Sequence, residues 1–424
     1  MTAATAQNTR RASASTVSAA SIAVTPWVRP AAWLALPDVT GLQRFVGLHA
    51  IFPSGNFVAL SATGNYTVDW GDGTTTNHNS GVIAYKEYTY SSISDAGEAA
   101  LGYRQAIIQV YPQSGQNLTN VNIQRVHNQS GLVTAGTTYA TGWLDVAINS
   151  ANLTTLSIGG TQPSHRLLQR VFIGQHAITS CASLFQNCTA LQSVPLFDTA
   201  NVTSMNTMFR GCVALTEVPP FNTPAVTNTG FMFTDCVSLR TVPLFNTAAV
   251  TNMTSMFQGC TSLRSVPLFN TAAVTSMTSM FQSCSCLRSV PLFNTAAATN
   301  MAAMVRGCVS LVTLPAFNTS ANTTFQDFAR DCFLITVVPA LNASASTLMG
   351  GLVQTCPNLV RCAMTGINAT VSFASCKLSA AELNAIFTSL SSTGTGKTIT
   401  VTGNYGTATC DTSIATAKGW TVTV

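Results

Sequence analysis

Eight cysteines recur every 24 residues: Cys188, Cys212, Cys236, Cys260, Cys284, Cys308, Cys332 and Cys356. Thiols invite metal, disulfide or nucleophile chemistry, so their spacing is decisive. No histidine lies among these repeats and no CxxC occurs; Cys284 and Cys286 form a lone CxC. A metal site needs ligands clustered at short spacing, whereas one cysteine per repeat suits a small apolar core residue. The expectation is a column of buried reduced thiols, with disulfides or metal as the alternative.

The other reactive side chains are scattered. The histidines are His49, His78, His127, His165 and His176, all outside the regular repeats, whose acids are Asp198, Glu217, Asp235, Asp327 and Asp331. No catalytic spacing emerges, so no enzyme and no cofactor is expected; a glycan-processing enzyme is the weaker alternative and would need a cluster of acids. Asp69 and Asp72 flank a glycine turn without the alternating oxygens of a calcium loop, so a turn role is expected over metal. The stretch Gly394-Thr-Gly-Lys-Thr398 echoes a phosphate-binding loop, but Ser391 stands where glycine is required and a strand follows instead of a helix.

One surface pattern suggests binding. Arg240, Arg264 and Arg288 hold the same position in consecutive repeats, beside Thr241, Ser265, Ser289 and Thr313. Stacked at about 5 Å, the guanidiniums make either an anion- or glycan-binding stripe or three solvated arginines whose stems cover apolar surface.

A 24-residue repeat with one such column per position is a solenoid, because no single unit buries enough apolar surface alone. In one copy Met253, Met256, Phe257 and Cys260 fall at i, i+3, i+4 and i+7, which predicts a short helix begun by Thr251 or Asn252 and ended by Gly259. The second half, Leu263 to Leu268, predicts a very short parallel strand, about Leu263 to Val266, because Pro267 and its equivalents remove a donor from every rung. Leu263, Val266 and Leu268 are expected inward, and Ser265 and Pro267 outward.

Around this array the chain divides into an arm over 1–38 with Trp27 and Trp33 as anchors, a β-sandwich over 39–115, transitional strands over 116–180 that cap the solenoid, the solenoid over 181–362, and a C-terminal cap over 363–424. Strands are predicted at Phe57–Leu60, Tyr66–Trp70, Tyr85–Tyr90 and Tyr103–Tyr111, with Gly71-Asp72-Gly73 as a tight turn. Leu378–Leu390 predicts a capping helix with Ser379 as N-cap and Glu382 three residues on.

Two resemblances rest on these residues. Tyr66-Thr-Val-Asp-Trp-Gly-Asp-Gly-Thr74, Glu87–Tyr90 and Ala106–Val110 resemble a PKD-type immunoglobulin-like sandwich, although the histidine of that family's pattern is absent. Met256-Phe257, Cys260, Leu263, Pro267, Phe269-Asn270-Thr271, Val274-Thr275 and Met277 closely resemble the BspA-like leucine-rich repeat of bacterial surface proteins; similar repeats occur in phage virion proteins. The implied fold class is α+β with repeats: a PKD-like sandwich, then a leucine-rich-repeat solenoid with short strands and short helices.

Only 8% of the 424 residues are charged and the net charge is +5. With no basic run beyond Arg10-Arg11, nucleic acid is not expected as a partner. No apolar run is long enough to span a membrane and no signal peptide is evident. A charge-poor surface suits a subunit of a larger assembly. The expected function is therefore a structural and binding component of a phage virion: tail fibre, appendage or capsid-attached protein. It would fold in the host cytoplasm, join other virion proteins through the arm, form a homo-oligomer, and touch a host glycan or protein. The alternative is a bacterial cell-surface adhesin.

Overall fold

A computed structural model describes residues 28–53, 56–124, 142–161 and 165–424. Trp27, His127 and the arm before residue 28 lie outside the described residues.

Two sheets open the fold. The first contains β1 (Arg44–Ile51), β3 (Tyr66–Asp69), β4 (Thr75–His78), β6 (Arg104–Pro112), β8 (Trp143–Asn149) and β10 (Arg170–Ile173), in the order β10-β8-β1-β6-β3-β4. The second contains β2 (Phe57–Thr63), β5 (Ile83–Glu87), β7 (Asn120–Asn122) and β9 (Thr155–Ser157), in the order β5-β2-β7-β9. Trp70 and Tyr66 fill the space between them, fully buried, and the Tyr88 hydroxyl donates to the Trp70 carbonyl at 2.8 Å. The expected Gly-Asp-Gly turn joins β3 to β4. Asp69 accepts from the Gly71 amide and Asp72 from the Thr74 amide, while Lys86 neutralises Asp72 at 2.7 Å. Both carboxylates are engaged in shaping and flanking the turn.

The transitional stretch is the seam. Most sandwich pairings are antiparallel, but β8 pairs with β10 in parallel, and so does β7 with β9. Both sheets thus change from hairpin-like pairing to coil-on-coil pairing between residues 120 and 173, and the next coil follows from Cys181. One buried apolar cluster runs from Phe45 to Trp420, so sandwich, solenoid and cap share a core.

The repeats form a β-solenoid without the expected short helices: no α-helix occurs within 179–362. In Met253–Cys260 the amides of Met253, Ser255, Phe257 and Gly259 donate to the next coil, at Ser276, Thr278, Met280 and Gln282. The intervening amides of Met256, Gln258 and Cys260 close three-residue turns onto Met253, Ser255 and Phe257. Ser255 and Gly259 are left-handed, with φ of 52° and 73°. A two-turn helix would leave its terminal amides unpaired; here each alternate amide is used by the neighbouring coil. Asn252 does start the segment, accepting from the Thr254 amide at 2.9 Å in an Asx turn rather than a helix cap.

The second half also departs from expectation. Leu263, Val266 and Phe269 point inward, whereas Leu268 is 61% exposed. The Phe269 amide closes onto the Pro267 carbonyl, a γ-turn centred on Leu268 that leaves Leu268 outside and carries Phe269 inward, so the inward positions are spaced by three. A regular strand pair appears only late, as β11 (Val337–Val338) beside β12 (Arg361–Cys362). In the regular coils this half carries a single parallel bridge, Ser289 to Thr313, whereas the first half is bridged at its start through Ser180, Ser204, Asn228, Asn252, Ser276 and Asn300.

The cap holds β13 (Val371–Ser372), β14 (Thr398–Thr400) and β15 (Thr421–Thr423) in one parallel sheet. The expected helix spans Ala380–Ser389, and the Ser379 side chain accepts from the Glu382 amide. Lys418 donates to the carbonyls of Phe387, Thr388 and Leu390 at that helix's end. Among the described residues no helix is long and apolar enough to cross a membrane.

Candidate contact face

The columns inside the solenoid determine which residues remain outside. Each repeat cysteine from Cys212 to Cys356 is buried and donates its thiol to a carbonyl 27 residues earlier; Cys260 Sγ lies 3.0 Å from the Phe233 oxygen. Burial holds the Cys212, Cys236 and Cys260 thiols well above their ordinary pKa. The cysteines occupy the core, as their spacing suggested. Phe209, Phe233, Phe257 and Phe281 stack alongside at 5.6–5.7 Å.

Buried threonines seal a corner. Thr199, Thr223, Thr247, Thr271, Thr295 and Thr319 each donate to an asparagine carbonyl one coil on, 2.6–2.9 Å away. A threonine recurring in an otherwise apolar corner is the signal that would have found this ladder.

With inward positions spaced by three, two residues face outward between each pair. Arg264 and Ser265 emerge between Leu263 and Val266, and Leu268 emerges before Phe269. Arg240, Arg264 and Arg288 are exposed in one column, and Thr241, Ser265, Ser289 and Thr313 in the next. The structure therefore brings together the seven residues singled out from sequence. None of the three arginines forms an ion pair among the described residues. At roughly 5 Å spacing in water, neighbouring guanidiniums repel by about 1 kcal/mol.

A third column was not anticipated. Leu244, Leu268 and Leu292 are 63, 61 and 62% exposed, and Leu196 is 59% exposed. Their column continues through Pro220, Ala316 and Ala340, whereas the adjoining inward column keeps Phe197, Phe221, Phe245, Phe269, Phe293 and Phe317. A position that accepts leucine, proline and alanine is under little packing constraint. Where Pro220 interrupts the leucines, a groove of about 330 Å³ opens beside Leu196 and Asn222.

The remaining candidates are structural. Trp33 is 5% exposed, packed on its own sandwich with Leu48, Ala50 and Leu144, and its indole donates to the Tyr103 hydroxyl. Lys397, in the phosphate-loop echo, donates to Asn368 and the Thr393 carbonyl. His49 and His165 are buried, and burial pushes them down to about 3 and about 4. Among the described residues no three His, Cys, Asp or Glu side chains converge to hold a metal ion.

Residues 179–288 and 238–334 match the model of a family described as Mycoplasma protein of unknown function, DUF285. No curated protein matches the chain. The similarity covers the regular coils, a little over a third of the chain, and the chain is a repeat protein whose solenoid is similar to that family over residues 179–334.

Proposed function

We propose that this protein is a non-enzymatic structural and binding component of a phage virion, as a tail fibre, appendage or capsid-attached protein. The observation that carries this reading is the single core from Phe45 to Trp420. It makes sandwich, solenoid and cap one stiff body, able to hold a regular outer face at a distance from its attachment point. The thiols support folding in a reducing compartment, since each repeat cysteine from Cys212 onward serves as a hydrogen-bond donor and must keep its proton. In this reading the sandwich is a PKD-like spacer, the coils are a BspA-like leucine-rich-repeat variant, and the N-terminal arm joins other virion proteins. Copurification tests it: the protein should accompany purified particles in fixed stoichiometry, visible as a rod in electron micrographs, and its absence from particles would reject the assignment.

The similarity of residues 179–334 to a bacterial family favours a second reading, a cell-surface adhesin. Protease added to intact bacterial cells should then cleave it.

A further inference from the structure

Three consecutive coils carry the same outward set: Arg240, Thr241 and Leu244; Arg264, Ser265 and Leu268; Arg288, Ser289 and Leu292. The set ends sharply. The preceding coil has Thr216, Glu217 and Pro220 at these positions, and the following one has Val312, Thr313 and Ala316. A cationic row, a hydroxyl row and an apolar row thus run side by side along the solenoid axis for three coils.

The chemistry of the strip selects its occupant. It contains no carboxylate, so a second copy of this chain would oppose three more guanidiniums to the first three. Single-stranded nucleic acid binds on aromatic rings, and none of the strip residues is aromatic. A peptide adding as a strand needs an open backbone edge; here the Arg264 amide already turns along the axis toward the Arg240 carbonyl, at 3.4 Å, and the Arg240 amide toward that of Thr216, at 3.3 Å. What fits is a linear molecule bearing repeated anions, many hydroxyls and C–H faces.

We propose that this strip binds a linear acidic polysaccharide lying along the solenoid axis. Its carboxylates or sulfates rest over Arg240, Arg264 and Arg288, its ring hydroxyls meet Thr241, Ser265 and Ser289, and its C–H faces lie on Leu244, Leu268 and Leu292. Guanidinium suits this task because it remains charged and presents forked donors to carboxylate or sulfate. The inference deepens the binding role proposed above.

Binding of the purified full chain to polygalacturonate and to heparin, with neutral dextran, polyglutamate and oligo-dT as comparisons, tests the proposal. An acidic glycan should bind and dextran should not, with affinity falling as salt rises. Arg264→Gln with Arg288→Gln should weaken binding roughly tenfold or more, and Leu268→Ser with Leu292→Ser should weaken it several-fold while leaving the salt dependence in place. Arg210→Gln, an exposed arginine on another face, should change nothing. These side chains are exposed, so unchanged melting temperatures should accompany the losses. Failure to bind either acidic glycan, binding unaffected by the strip variants, or equal binding to polyglutamate or oligo-dT overturns the proposal. Incorporation of the arginine double variant into particles reads the virion assignment separately.

Discussion

Arg29 Nε lies 3.0 Å from Asp145 Oδ2, joining the segment before the first strand to the middle of β8. The same guanidinium donates to the carbonyls of Trp33 and Leu34, while Gln105 accepts from the Leu34 amide and donates to the Ala32 carbonyl. Asp145 is 1% exposed, and Arg170 is its second cation at 3.7 Å. Burial pushes the Asp145 carboxyl up, opposed by the Arg29 hydrogen bond. Removing one partner of a buried pair strands the other. Arg29→Ala should therefore destabilise the fold by about 2–3 kcal/mol in denaturant unfolding, with Arg170 retaining part of the interaction. Limited proteolysis should show faster cleavage within 28–36; unchanged stability and cleavage would show that the apolar contacts of Trp33 hold this segment alone.

The thiols make a second prediction. Cys286 is exposed and Cys410 half-buried, while the other eleven of the thirteen cysteines are buried. A thiol reagent applied to the native protein should label Cys286 quickly and Cys410 slowly, because thiolate formation and access both limit the reaction. Cys286→Ser should abolish the fast phase, and the buried thiols should react only on unfolding. Rapid labelling of several thiols would mean that the coils open.

The left-handed column supports a third. Asn187, Gly211, Asp235, Gly259, Ser283 and Gly307 alternate side chain and glycine, all at positive φ. A Cβ at Gly259 would lie 2.4 Å from Asp235 Oδ1. Gly259→Ala should cost about 1–2 kcal/mol from left-handed strain alone, and more while Asp235 remains. Adding Asp235→Ser should recover roughly 0.5–1 kcal/mol in a double-mutant cycle, as expected for touching residues. Strict additivity would refute the alternation as a packing device.

The buried histidines predict acid sensitivity. His49 and His165 fall from 6.5 to about 3 and about 4 on folding. Below pH 6.5 the unfolded chain takes up protons at these sites and the folded chain does not, so their stabilisation is complete above that pH and declines as pH drops. At pH 5 the two together should cost roughly 4 kcal/mol. Asp145, with its carboxyl raised, acts in the opposite sense. Urea unfolding at pH 7.5 and pH 5 should show the loss, and His49→Gln with His165→Gln should flatten it. The first of these substitutions keeps a side-chain acceptor for the Gly142 amide, which His49 Nε2 now binds at 3.0 Å.

Much of the architecture was legible residue by residue. Period-two runs gave β2, β3 and β6 within a few residues, while the strand expected at Tyr85–Tyr90 overlaps β5 only over Tyr85–Glu87, because a short turn begins at Tyr90. Ser379 and Glu382 marked the cap helix. The 24-residue register placed Cys260, Met253, Met256, Phe257, Leu263 and Val266 inside and the three arginines outside. Strands β1 and β4 escaped notice, since β1 is almost wholly buried and does not alternate, and β4 is polar along its length.

What the sequence determined alone was the repeat, its inward residues and the arginine and hydroxyl columns, because each follows from periodicity. Tertiary structure decided the backbone between them. Positions i, i+3, i+4 and i+7 face inward in a helix and equally in successive three-residue turns, so Met253–Cys260 could not be resolved by pattern. The neighbouring coil resolved it by accepting alternate amides. The same dependence turned Leu268 outward: Pro267 closes a γ-turn that brings Phe269 into the ring stack, and only stacked coils reveal which of the two apolar residues the core accepts.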